Sequence, residues 1–352
     1  MIPLYKPYIP PLPELDSILH SGQLTYGRYC RAFEKKLQVF FDTPWVLTTN
    51  SFNTAISVAI TTLDLKYGDE VIASPMGCLA SIQPYLTAGM KIKWADVDPH
   101  TGTLSPDSVR SVIDSNTKCI IHNHFCGYPG DIDSINSIGY EYGIPVIDDG
   151  IECFGTTYKG RKIGNCGTSV TVFSLTPVRN PSTVDGGIVI FQNKSDYDKA
   201  VLIRDCGIDR TRFRDEYGEI NPDCDISYNG YSATMCDTNG YIGLVQMDHI
   251  DEILKSARNN AESWRRHLDG YQGIAPLLYA QGDPNYWVFG TLADDKLEMM
   301  KYFRDNGFWA SGVHTDNSVY SAFGTRPELP GTSEFMQHYL ALPCGWWADG
   351  KI

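Results

Sequence analysis

Residues 174–191, SLTPVRNPSTVDGGIVIF, have the form of a ligand-binding loop between two strands. Ser174 ends one apolar run, and the Asp-Gly-Gly turn at 185–187 precedes the next. Paired glycines allow the backbone to approach a ligand closely. The only cation in the loop is Arg179, whose guanidinium stays protonated and is a poor nucleophile. The loop therefore indicates a cofactor or anion site that lacks an amine nucleophile.

Two further stretches place polar residues where strands are predicted to end. In TTNSFNTAISVAI, free N–H groups at a helix start favour a phosphate or carboxylate. On that segment alone, an ordinary N-cap by Ser51 or Asn53 is the simpler interpretation. In PVIDDGIE, Asp148 and Asp149 end a buried strand, where carboxylates are costly unless paired or functional. Asp149 could hold a protonated ring nitrogen, and Asp148 could cap the next segment.

The stretch HNHFCG brings His122, His124 and Cys126 close together at another strand end. These are metal-ligand residue types, but no second cluster has ligand spacing, so we favour a strand-end loop and expect no metal. His124 is retained as a candidate catalytic residue because it falls at the same predicted edge as the other polar clusters.

These residues must be positioned by elements that alternate between strand and helix from about residue 47. The predicted strands are WVLTTN, DEVIASP, KIKWADVD, TKCIIHNHF and GIPVIDDG, and the predicted helices include TAISVAITTL and CLASIQPYLTAG. This alternation predicts an α/β domain with a mainly parallel sheet. Ligands bind such sheets at the carboxyl ends of the strands, where the polar clusters fall.

The pattern changes after about residue 246. VQMDHIDEILKSARNNAESWRRHLDG predicts one long amphipathic helix closed by Gly270. NYWVFGTLAD, KLEMMKYFRDNGF and WASGVH then predict strand, helix and strand. We expect a large cofactor- and substrate-binding domain over residues 1–245, including an N-terminal arm, and a smaller α+β domain over residues 246–352.

Composition narrows the classes of partner. The 352-residue chain has a net charge of −13 and no Lys/Arg cluster longer than a pair, which argues against nucleic acid as its main partner. No stretch approaches the roughly 18 apolar residues of a membrane span. The ten cysteines form no CxxC pair, and the N-terminus has no secretory signal pattern. We expect a cytoplasmic protein with reduced thiols and no membrane partner.

Taken in order, the motifs resemble the DegT/DnrJ/StrS family of sugar aminotransferases, which are fold-type-I pyridoxal-phosphate (PLP) enzymes. The resemblance rests on GRYCRAFEKKL, YGDEVIASP, TAGMKIKWADVDPHTGTL, NHFCGYPGDID, VIDDGIECFGTTYKGRKIGNCGTSVTVFS, DGGIVIF, RDCGIDR and LALP. It implies a three-layer large domain with a mainly parallel central sheet and a smaller C-terminal α+β domain.

The resemblance also implies roles for single residues. Asp149 would pair with the pyridine nitrogen, which lets the ring act as an electron sink. Glu152 would lie near the cofactor's 3-hydroxyl. The phosphate would be held by Ser174 and by the helix start, which comprises Ser51, Phe52 and Asn53. Arg179 falls where the family has its Schiff-base lysine.

Several positions depart from the family pattern. Phe52-Asn53 replaces Gly-Thr or Cys-Thr in the phosphate cup, and Cys78 replaces an aromatic residue that stacks on the ring. Ser232 replaces an asparagine that reaches the neighbouring subunit's phosphate, and Thr234 replaces an arginine. The cofactor contacts of the family are thus altered at several places, in addition to position 179.

Three functions remain open at the sequence level. The chain could bind PLP or its amine form, pyridoxamine phosphate (PMP), without a covalent bond and modify a nucleotide-linked keto sugar, as an aminotransferase or a PMP-dependent dehydratase would. Its pocket could instead bind a phosphate- or carboxylate-bearing ligand through Arg179 without PLP. It could also be an inactive family member that acts as a partner subunit. The resemblance favours the first function, an enzyme, and a homodimer.

Overall fold

Short apolar runs that end in polar residues form the strands of a seven-stranded sheet in this computed structural model, which describes all of residues 1–352. The strands of the whole chain are β1 (Val46–Thr49), β2 (Glu70–Ala73), β3 (Lys91–Trp94), β4 (Thr117–Asn123), β5 (Val146–Asp149), β6 (Thr157–Tyr158), β7 (Arg161–Lys162), β8 (Val170–Ser174), β9 (Gly187–Phe191), β10 (Ile274–Pro276), β11 (Gly282–Asp283), β12 (Phe289–Ala293) and β13 (Tyr339–Leu342). The strand order in the seven-stranded sheet is β1-β9-β8-β5-β4-β2-β3.

Eleven α-helices accompany these strands. They are α1 (Leu15–Leu19), α2 (Arg28–Phe41), α3 (Phe52–Thr62), α4 (Leu79–Thr87), α5 (Pro106–Val112), α6 (Ile132–Tyr142), α7 (Lys194–Arg204), α8 (Asp237–Gln246), α9 (Ile250–Leu268), α10 (Lys296–Asp305) and α11 (Pro330–His338). No helix is both long enough and apolar enough to cross a membrane.

The central sheet is mainly parallel, which confirms the predicted fold class. Pairs β2–β3, β2–β4, β4–β5 and β5–β8 are parallel, and only β9 runs antiparallel to its neighbours. Helices cover both faces, and separate apolar clusters lie on each side of the sheet. The carboxyl ends of β4, β5 and β8 therefore meet at one edge, where His124, Asp149 and Ser174 fall.

The C-terminal part departs from the sequence prediction at two points. The predicted helix through residues 245–270 is two helices, because α8 ends in tight i→i+3 bonds at Asp248 and His249 before α9 begins. WASGVH is not a strand, since Val313 adopts a left-handed φ of 62° that breaks the extended backbone. The second sheet is instead β10-β12-β13, all antiparallel. The domain division at residues 245 and 246 stays a prediction.

A buried ion pair fixes edge strand β1, from which the chain enters α3. Glu34 on α2 accepts hydrogen bonds from the backbone N and Oγ1 of Thr48, each at 2.8 Å. Arg204, at the end of α7, donates from one Nη1 to Glu34 at 2.6 Å and to the Thr48 carbonyl at 2.9 Å. Because both charges are buried, each supplies the opposite charge that the other requires.

Replacing Arg204 with methionine should lower the free energy of unfolding by about 3–5 kcal/mol, because Glu34 would remain buried without its cation. Chemical denaturation measures this value, and Lys194→Met, which removes an exposed ion pair with Asp198, serves as the control. If Arg204→Met cost no more than this control, the buried pair would have no structural role.

Candidate functional site

Strand β5 presents its two consecutive carboxylates to opposite faces of the sheet. Side chains alternate along a strand, and Ile147 and Val146 accordingly belong to apolar clusters on opposite sides. Asp149 lies on the Ile147 side and is buried; the backbone N of Ile151 donates to it at 3.2 Å, and the nearby Ser81 hydroxyl also favours its ionised form. Burial raises the pKa of Asp149 to about 6. A buried carboxylate without a cation is costly, so this position is suited to a cationic ligand group.

On the other face, two histidines contact one oxygen of Asp148, and its Oδ2 has no hydrogen-bond partner. His122 Nδ1 donates to Asp148 Oδ1 at 3.1 Å, and His124 Nε2 lies 3.3 Å from the same oxygen. Although burial opposes ionisation, the two imidazoles hold the pKa of Asp148 below its usual range. Burial in turn lowers the pKa of His124, which favours the neutral form of this ring beside the ionised Asp148.

The tautomer of His124 argues against chelation by this cluster. The backbone N–H of Gly130 donates to His124 Nδ1 at 3.1 Å, so in the neutral ring the proton is on Nε2, the nitrogen that faces Asp148. A protonated nitrogen has no lone pair for a metal ion. His124 is fully packed on the Asp148 side and makes no hydrogen bond to Arg179 or Glu152. The structure thus separates this candidate catalytic residue from the other candidates.

The start of helix α3 has two free backbone donors. Ser51 is the N-cap, and it forms a reciprocal capping box with Thr54, as the simpler interpretation of this segment predicted. The backbone N–H groups of Phe52 and Asn53 make no hydrogen bond within the protein. Free donors at a helix N-terminus attract a phosphate, and these are the two amides that the family resemblance assigns to it.

Ser174 lies at the same sheet edge as this helix start. Ser174 at the end of β8 pairs with Gly187 at the start of β9, and Gly187 pairs on its other side with Thr49 at the end of β1. A Cβ on Gly187 would come within 2.7 Å of the Ser51 carbonyl, so only glycine allows this close approach. The Ser174 hydroxyl lies 3.0 Å from Thr176 Oγ1.

Glu152 is the centre of a buried polar cluster. Its Oε1 lies 2.8 Å from His314 Nε2 and accepts from Arg179 Nη2 at 3.2 Å. Its Oε2 accepts from the backbone N of Cys126 at 3.0 Å. Although burial opposes ionisation, His314 and Arg179 hold the pKa of Glu152 below its usual range. Glu152 is therefore an anion with three partners, unlike Asp149.

Arg179 packs between the Glu152 carboxylate and the Trp287 ring. Its side chain is 7% exposed, and its guanidinium carbon lies 4.3 Å from the centre of the Trp287 ring. Tyr5, from the N-terminal arm, stacks on Trp287 with ring centres 5.1 Å apart. The Nε and Nη1 groups of Arg179 have no hydrogen-bond partner, so the side chain retains capacity to bind an acceptor.

No lysine makes a hydrogen bond or ion pair with any residue of this cluster. Lys159 and Lys162 lie on the β6–β7 hairpin. Burial lowers the pKa of Lys296, but its Nζ donates to the Met336 carbonyl at 2.8 Å. The site therefore has no evident amine nucleophile.

The two remaining predicted residues lie at different positions around the site. Cys78 precedes α4 and is half-buried, and burial together with nearby Glu152 raises the pKa of its thiol. Ser232 is exposed, and its carbonyl accepts from the Asn50 side chain of the same chain at 3.1 Å. The structure thus brings Cys78 close to Glu152 and Arg179, and Ser232 close to the start of α3.

Sequence reasoning missed Tyr5, Trp287 and His314. His314 is a single histidine in a segment predicted to be a strand, and Trp287 belongs to an apolar run. Tyr5 lies in a proline-rich arm. No local pattern identifies these residues, because each reaches the site only through long-range packing.

Comparison with known proteins supports the resemblance. The sequence model of the DegT/DnrJ/EryC1/StrS aminotransferase family matches residues 11–347. Among solved structures, the sugar aminotransferase CalS13 of Micromonospora echinospora is 27% identical, with a TM-score of 0.92, 100% of this chain covered and 96% of that one. AtS13 of Actinomadura melliaura is 29% identical, with a TM-score of 0.92 and coverages of 100% and 95%.

A more distant structure shares the fold. It is a GDP-4-keto-6-deoxymannose-3-dehydratase with a trapped PLP-glutamate geminal diamine, 18% identical, with a TM-score of 0.84 and coverages of 98% and 96%. Members of the matched family and such neighbours use PLP or PMP.

Borohydride should not attach PLP to the wild-type chain, because Arg179 cannot form the reducible bond. Arg179→Lys restores an amine at this position, so added PLP should then give an imine absorbance and a reduced adduct on residue 179. Mass spectrometry of the digested protein locates the adduct, with Arg161→Lys on the exposed hairpin as control. A wild-type adduct on any lysine would contradict this account of the site.

Proposed function

Because this chain belongs to the DegT/DnrJ/EryC1/StrS aminotransferase family, we propose that it binds PLP or PMP without a covalent bond and modifies a nucleotide-linked keto sugar. The observation that carries the proposal is Asp149, a buried carboxylate with a raised pKa and no cationic partner. A protonated pyridine nitrogen is the partner that this position lacks.

The other residues at this edge fit the same ligand. The free N–H groups of Phe52 and Asn53 are suited to its phosphate, with Ser174 on the neighbouring strands. Half-buried Cys78 would lie beside the ring. When bound, the cofactor withdraws electrons from the carbon next to its amine, which is the chemistry of amine transfer and of sugar dehydration.

Arg179 would serve this function by position and charge. It cannot give up a proton, so its part is to hold Glu152 and to close the site against Trp287. Its two unpartnered N–H groups also favour a second candidate function, in which they bind a phosphate or carboxylate and no PLP is used.

The ten cysteines are all free, which supports a reducing compartment, and we place the protein in the cytoplasm.

Asp149→Asn separates the two functions. If PMP binds through Asp149, the substitution should weaken PMP binding by about 1–3 kcal/mol, and Arg179→Ala should weaken it less. Wild-type affinity should also fall as the pH drops below about 6, because the carboxylate must be ionised to pair with the ring. Calorimetric titration with PMP measures both effects. Anion binding that Arg179→Ala abolishes and Asp149→Asn leaves intact would support the second function instead.

The stability of the ligand-free protein should change with pH in the opposite direction to the PMP affinity. The pKa of Asp149 is higher in the folded than in the unfolded chain, so its contribution to stability is present at low pH and lost as the pH rises through 6. Asp149→Asn should therefore stabilise the protein at pH 7.5 by roughly 1–3 kcal/mol. Asp148→Asn is the matched control and should destabilise, because that carboxylate is paired. A loss of stability in Asp149→Asn would mean that the carboxylate is already satisfied.

We also propose that the active form is a homodimer. Residues 205–232 form a mostly exposed segment whose Ser232 end contacts Asn50 before α3, and the segment carries Tyr217 and Ile220, 82% and 60% exposed. Apolar side chains exposed together on one surface segment are typical of an interface. Light scattering should give twice the chain mass at micromolar concentration, and Ile220→Asp should weaken the dimer while Val39→Asp, on α2, should not. A wild-type monomer throughout this range would rule out the dimer.

A further inference from the structure

The proposed function requires a group that can accept and return a proton, and few side chains at this site can do so. Arg179 stays protonated. Asp149 is the proposed partner of the ring nitrogen, and Glu152 has three hydrogen-bond partners already. Burial raises the pKa of Cys78 and Cys126, and burial together with Glu152 raises that of Tyr5, which keeps these three groups protonated.

His314 remains, and its two nitrogens are in different environments. Nε2 lies 2.8 Å from Glu152 Oε1, and an ionised carboxylate can only accept, so the proton of the neutral ring is on Nε2. Nδ1 then carries the lone pair and has no hydrogen-bond partner in the protein. The side chain is 14% exposed, so it is held in place but not sealed off.

Glu152 is positioned to hold this orientation. Arg179 Nη2 and the backbone N of Cys126 bind its two oxygens at 3.2 and 3.0 Å, which prevents the carboxylate from rotating away. A fixed carboxylate that orients an imidazole and leaves its second nitrogen free is the arrangement of a general base.

The histidines that face Asp148 differ from His314. His124 Nδ1 accepts from Gly130 N at 3.1 Å, and its Nε2 faces Asp148 in a fully buried position. Its Nδ1 is occupied, and its Nε2 is sealed in the interior against Asp148. His122 also faces Asp148 through Nδ1 and has an unpartnered Nε2, but that ring is fully buried, whereas the His314 side chain is 14% exposed. Among the histidines that contact these carboxylates, His314 therefore combines a fixed tautomer with an accessible basic nitrogen.

The backbone is strained at one partner of Glu152 and next to another. Val313, next to His314, has φ 62°, and Cys126 has φ 54°. The left-handed region is unfavourable for residues other than glycine, and especially for a β-branched valine. Strain of this kind persists where the surrounding structure holds a residue for a purpose, as at active sites.

We propose that His314, oriented by Glu152, is the proton-transfer group of this site and takes the place of the lysine amine that the chain lacks. The inference rests on the proposed function. In the step, a C–H bond next to the cofactor's nitrogen breaks, its electron pair stays on the carbon framework, and its proton moves to Nδ1. The proton then returns from Nδ1 to carbon, so no oxidant or reductant is needed.

The tautomer can be tested without any cofactor. In protein labelled with ¹⁵N-histidine, His314 should show a protonated Nε2 and an unprotonated Nδ1 at pH 8, and Glu152→Gln should reduce this preference. A protonated Nδ1 in the wild-type protein would overturn the proposal.

The chemistry is tested with PMP and 2-oxoglutarate in D₂O, where NMR follows deuterium entering the PMP carbon that bears the amine. His314→Gln keeps a donor for Glu152 but has no base, so exchange should be at least ~100-fold slower. The PMP affinity of His314→Gln should remain within about twofold of wild type. The control variant His100→Gln, on an exposed turn, should support deuterium exchange at the wild-type rate.

Two outcomes contradict the proposed role of His314 but leave the proposed function standing. They are deuterium exchange at the wild-type rate in His314→Gln, and no exchange in wild-type protein that has bound PMP. Failure of wild type to bind PMP is a different result, since it refutes the proposed function and removes the inference with it.

Discussion

Strand β5 ends in two consecutive buried carboxylates, and the organisation of the site follows from the partners that each one has. Because side chains alternate along a strand, Asp148 and Asp149 face opposite sides of the sheet. Asp148 is paired with His122 and His124, and so contributes to the structure. Asp149 has one backbone hydrogen bond and no cation. Its burial is therefore unfavourable until a cationic ligand group pairs with it.

Glu152 is the third carboxylate in this region, and its surroundings differ from those of the other two. It accepts from a guanidinium, an imidazole and a backbone amide, drawn from the loop after β8, the segment before β13 and the turn after β4. The cluster thus ties three distant parts of the chain together at the edge where ligands bind such sheets. Arg179 belongs to this network as a fixed cation, a role that does not require it to lose a proton.

The solved relatives show how widely side chains can differ on this fold. Identities of 27% and 29% accompany a TM-score of 0.92, because the fold depends on alternating apolar strands and helices that many sequences satisfy. Chemistry depends on a few side chains at one edge, so a shared fold does not transfer a mechanism. The proposals for this chain therefore rest on its own carboxylates and imidazoles.

The sequence by itself determined the fold class and which strand ends carry candidate site residues. Strand–helix alternation predicts a parallel sheet, and its polar strand ends identify Asp149, Ser174 and the start of α3, because these features depend on residues near in sequence. It could not place His314, Trp287 or Tyr5 beside Arg179, nor show that His124 packs against Asp148 on the far face. Those relations join residues up to 282 positions apart (5 to 287), and only the packing of the whole chain brings them together.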